Sequence, residues 1–149
     1  MARITKELQE QLVSDMKEWQ GVENASIAST GRMLEKSDNQ IVRMVMEIIQ
    51  HDSITHHHVQ QIIIDSLTEK AISLSPEELA EIWEMVEHHV ELEKKTIELA
   101  RRVLDSIHDS YMVVQQYLLE YLLEDEQKHS NMLYRMDEIK RNMYPYGST

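Results

Sequence analysis

Glu126 and His129 stand three residues apart in the run Glu124-Asp125-Glu126-Gln127-Lys128-His129. On an α-helix that spacing points both side chains the same way. A carboxylate beside an imidazole on one helix face is a common half of a metal site. Leu119, Leu122, Leu133 and Met136 fall on the same stripe, which should therefore face the core. A charged glutamate in a core costs several kcal/mol unless something pairs with it. Its partners must come from other helices.

The elements that would supply them follow from composition and punctuation. The chain has 149 residues, 42% of them hydrophobic, with Gly 3 and Pro 2. That composition predicts one all-α domain of few, long helices. Helix 1 is expected over 5–36, with Leu12, Met16, Trp19, Glu23, Ile27, Thr30 and Leu34 inward. Ser37-Asp38-Asn39-Gln40 reads as a capping box opening helix 2, which runs to about Ser66. Ser75 and Pro76 mark the start of helix 3 as N-cap and first helical residue. His108-Asp109-Ser110 is the next break, and helix 4 follows to about Asn142. The tail from about 143 to 149 is expected to be loose. Helices of about thirty residues are about 45 Å long, and a link of roughly nine extended residues spans about 30 Å. An antiparallel four-helix bundle with one long crossover between helices 2 and 3 is the expected layout.

Each inward stripe turns polar at mid-helix. Helix 1 offers Glu23, helix 2 Ser53 and His56, helix 3 His89 and Glu93, helix 4 Glu126 and His129. In an antiparallel hairpin, residues equidistant from the turn lie side by side. Glu23 and Ser53 are centred on Asp38, and Glu93 and Glu126 on the Asp109-Ser110 pair. Both centres fall in turns assigned independently from capping chemistry, so all four polar sets are expected in one layer. Carboxylates and imidazoles without thiolate suit iron, manganese or zinc. The cation would neutralise the buried carboxylates.

This arrangement resembles the ferritin-like superfamily, nearest in style to rubrerythrin-type carboxylate-bridged di-iron proteins. Their pattern is Glu on helix 1, Glu-x-x-His on helix 2, Glu on helix 3 and Glu-x-x-His on helix 4. Glu23, Glu93 and Glu126-Gln-Lys-His129 match it. The acidic residue that commonly precedes the motif is present as Asp125, and again as Asp52. The resemblance implies that these aspartates bond a ligand histidine across the bundle. Helix 2 departs from the pattern, because Ser53-Ile-Thr-His56 replaces the glutamate that would bridge two metals. His89, one turn before Glu93, offers a substitute. The expected stronger site is then Glu93, Glu126, His129 and His89. The weaker one is Glu23 and His56, with Glu126 shared and His57 a rival to His56.

The resemblance implies a metal-binding protein holding one or two non-haem irons, with zinc or manganese as alternatives. If it is an enzyme, di-iron oxidoreductase or peroxidase-like chemistry on O₂ or peroxide is implied. A non-catalytic mononuclear zinc or iron bundle, or a helical interaction module with a vestigial site, are the competing readings. A homodimer is expected. The net charge of -12 argues against nucleic acid or an anionic membrane as partner. Cys 0 removes disulfides, thiolate ligands and a cysteine nucleophile. With neither an export signal nor a run long enough to span a membrane, the expectation is a cytoplasmic protein.

Overall fold

The computed structural model describes residues 5–143; of the tail expected over about 143–149, Met143 ends the last helix and 144–149 lies outside the described residues. Four helices account for nearly all of them: α1 Lys6–Lys36, α2 Gln40–Thr68, α3 Pro76–Ile107 and α4 Val113–Met143. No strand occurs among the described residues.

The helix ends follow local chemistry. Thr5 caps α1, its hydroxyl accepting from the Leu8 N–H at 3.2 Å. The Arg43 guanidinium closes the other end by donating to the carbonyls of Leu34 at 2.6 Å and Ser37 at 3.1 Å. It thereby serves carbonyls that the last turn leaves without helical partners. The N-cap of α2 is Asn39, not the expected Ser37. With Asn39 extended at φ -67° and ψ 123°, its Oδ1 reaches the N–H groups of Ile41 and Val42 at 3.0 and 3.1 Å. Ser37 instead accepts from the Asn39 N–H at 3.2 Å. Ser75 and Glu78 form the complete reciprocal capping box of α3, with Pro76 in the first turn.

The chain divides after Ile72 into two compact units, one built on α1 and α2 and the other on α3 and α4. In the first, Gln20 Nε2 donates to the His57 carbonyl at 3.3 Å, and Gln50 Nε2 to the Ile27 carbonyl at 3.2 Å. Ser26 and Ser53 bond through their hydroxyls at 2.9 Å. Rising numbers on α1 meet falling numbers on α2, so the two helices form an antiparallel hairpin. In the second unit Glu93 meets His129 and Thr96 meets Glu126, with the same sense.

The seams are unusually polar. Among the described residues the buried apolar side chains are Ile64, Leu79 and Ala100, whereas Glu23, Thr30, Ser53, Gln60 and Glu93 are buried polar ones. Several positions expected to face inward are open: Trp19 is 53% exposed, Leu12 36% and Leu122 47%. Each helix carries apolar residues on more than one stripe, and the stripe at the α1–α2 or α3–α4 seam is the one shared with the buried polar groups. No helix among the described residues is long and apolar enough to cross a membrane.

Candidate metal centre

Glu93 is the fixed point of the second hairpin. It is 6% exposed, and its two carboxylate oxygens have different surroundings. Oε1 lies 2.9 Å from Nε2 of His89, one turn earlier on α3, and 3.7 Å from Nδ1 of His129 on α4. Oε2 is buried and has no hydrogen-bond partner of ordinary geometry. A buried carboxylate oxygen without a partner costs on the order of 1–3 kcal/mol or more; a proton shared with Glu126 or a cation in its place would supply what is missing.

The Glu-x-x-His spacing on α4 brings two further donors to the Glu93 carboxylate. His129 Nδ1 is 3.5 Å from Glu126 Oε2. One ligand atom from each of Glu93, Glu126 and His129 falls within a 4.8 Å group. Donors held about 2.1 Å from a tetrahedral or octahedral cation stand roughly 3.0–3.4 Å from one another. Small side-chain rotations close the observed gaps to that range. The donor set fits a borderline divalent metal such as iron or zinc: two carboxylates, one imidazole and no thiolate.

The rest of the site orients these donors. The far nitrogen of His129, Nε2, lies 3.4 Å from Asp125 Oδ2, leaving Nδ1 turned to the carboxylates. A carboxylate behind a ligand imidazole fixes its orientation and tautomer. Asp125 was expected to serve a histidine across the bundle, but it serves His129 one turn along its own helix. It is itself held by Lys128 Nζ at 2.7 Å. The Thr96 hydroxyl bonds the Glu93 carbonyl at 2.8 Å and lies against the Glu126 carboxylate. The two glutamates crowd one another. Glu126 is held above the usual carboxylate range, first by bonding to Glu93, then by burial and by repulsion from Glu93. Glu93 is held below it, first by bonding to Glu126, against burial and with help from His89. Of the two, Glu126 is therefore the one that takes up a proton first as pH falls.

Of the predicted residues, Glu93, Glu126 and His129 come together, and His89 joins them by bonding Glu93. Glu23 and His56 meet in the first hairpin, His56 Nδ1 lying 3.4 Å from Glu23 Oε1. It is thus His56 whose ring approaches Glu23. Ser53 is buried beside them, and Asp52 is half-buried next to it. The sequence reading missed Gln60. Only 3% exposed, it directs Nε2 at Glu23 Oε1 from 3.5 Å, while its own Oε1 is buried without a partner. The available signal was position: Gln60 lies seven residues after Ser53, on the same stripe. Comparison with models of protein families, with curated proteins and with solved structures gives no match.

Proposed function

We propose that this chain is a ferritin-like metal-binding protein that holds non-haem iron on Glu93, Glu126 and His129. The observation that carries this reading is the convergence of a second carboxylate and an imidazole on buried Glu93, whose Oε2 has no hydrogen-bond partner. His89 acts as a positioning residue, fixing the Glu93 carboxylate through Oε1. Asp125 does the same for His129. The ferritin-like architecture is part of the proposal: an antiparallel four-helix bundle with segment 69–75 as the crossover.

Three protein donors leave further coordination positions open, and bound iron would supply redox chemistry toward O₂ or peroxide. The chain's own residues provide an anionic cradle in which Glu126 takes up a proton more readily than an ordinary glutamate. A second reading is a non-catalytic holder of a single zinc or iron ion. It is favoured by Ser53, which occupies the position where a second bridging carboxylate would be needed for di-iron chemistry.

Metal analysis of anaerobically purified protein, followed by ferrous iron and then peroxide, tests the proposal. Bound iron and repeated peroxide consumption are expected for the enzyme, and one inert ion for the holder. Retention of the same metal content in Glu126→Ala and His129→Ala would reject the site.

A further inference from the structure

The two hairpins carry the same polar layer twice. Residues of α3 lie seventy positions after their counterparts in α1, and those of α4 seventy-three after α2. Glu93 then corresponds to Glu23, Thr96 to Ser26, Glu126 to Ser53 and His129 to His56. The contacts correspond as well. His129 Nδ1 approaches Glu93 Oε1 at 3.7 Å, and His56 Nδ1 approaches Glu23 Oε1 at 3.4 Å. Thr96 lies against Glu126, and Ser26 bonds Ser53 at 2.9 Å. Buried Ala100 matches buried Thr30.

Within this shared frame two substitutions alter the chemistry. Ser53 stands where Glu126 stands in the other hairpin, and Gln60 stands where Leu133 does. The first removes one of two facing carboxylates, and the hydroxyl pair Ser26–Ser53 closes the gap without charge. The second points an amide donor at the remaining carboxylate, Glu23. An N–H directed into a site repels a cation and occupies an acceptor that the metal would need. Hairpin α1–α2 therefore holds one carboxylate with neutral donors where hairpin α3–α4 holds two that compete for a proton.

We infer that Ser53 and Gln60 are the residues that restrict this chain to one metal ion, by converting the α1–α2 copy of the site into a hydrogen-bonded layer. The inference rests on the metal reading of Glu93, Glu126 and His129. Glu23 and His56 are then structural partners of each other and not ligands.

Anaerobic titration of the metal-free full-length chain with ferrous iron, read calorimetrically, tests it. Wild type is expected to bind one equivalent, and Glu23→Gln also one. Ser53→Glu, or Ser53→Glu with Gln60→Leu to reproduce the other hairpin, is expected to bind two. Circular dichroism checks that each variant is folded, and Glu23→Gln decides the matter even if the glutamate insertions unfold. Two equivalents in wild type, one of them lost in Glu23→Gln or Gln60→Leu, would overturn the inference. That result would mean that Gln60 turns its amide over and offers Oε1 to a second ion. One equivalent in folded Ser53→Glu/Gln60→Leu would deny these residues their role. No uptake by wild type would sink the metal reading itself.

Discussion

The pairing of Glu93 with Glu126 sets a conflict between stability and binding at single residues. Glu126 has its carboxyl raised by the neighbouring Glu93. The metal-free native state therefore binds this proton more tightly than the unfolded chain does. This contribution to stability is lost as pH rises from the ordinary glutamate range through the raised value. Glu93, held low, acts in the opposite sense: its contribution is present above the ordinary range and lost as pH falls through its own depressed value. Replacing Glu126 with Gln keeps a donor beside Glu93 and removes the repulsion. The metal-free variant should melt at or above the wild-type temperature at neutral pH, and it should no longer bind iron. A clear loss of metal-free stability would contradict this. The same proton competes with the metal, so wild-type affinity should fall as pH is lowered toward the glutamate range. Asp125→Asn leaves every ligand in place but loosens His129. Metal affinity should drop about 10–100-fold, read by competition with a chelator.

At the scale of elements, helix termini and registers were legible because they depend on local chemistry. Ser75-Pro76-Glu77-Glu78 specifies its own cap, and the structure makes both reciprocal bonds. Ser75→Ala should cost about 1 kcal/mol in denaturant unfolding. A change within error would mean that the start of α3 is held by other contacts. The turns fixed which residues face each other, and with them the meeting of Glu93 and Glu126. What was not legible concerns choices between near-equal options. Asn39 and Ser37 are both good caps, and backbone geometry at Asn39 decided between them. Trp19 and Leu122 lie one turn from Glu23 and Glu126 on the same stripe, and periodicity alone does not say how much of that stripe the partner helix covers. Gln60 reads as a surface residue by type, and only its spacing from Ser53 marks it as part of the seam. The distance between two residues on one helix is certain from sequence. For that reason Glu126 and His129 were firm, as was His89 one turn from Glu93; that His89 turns to the Glu93 carboxylate is a choice of rotamer that spacing does not make.

For the whole molecule, charge and linkage matter most. The chain carries a net charge of -12, so cation uptake should slow as ionic strength rises. A metal held only by the folded chain stabilises it. At a free concentration one hundred times Kd the gain is about 2.7 kcal/mol. Saturating ferrous iron should therefore raise the melting temperature of the wild type, a chelator should reverse the gain, and Glu126→Ala should show neither effect.

The most direct measurement is an anomalous-difference map at the metal edge from crystals of the loaded protein. One peak is predicted in the α3–α4 seam, about 2.0–2.2 Å from a carboxylate oxygen of Glu93, one of Glu126 and Nδ1 of His129. A peak on other residues, such as the exposed histidines of α2, with Glu93 Oε2 left bare, would contradict the account.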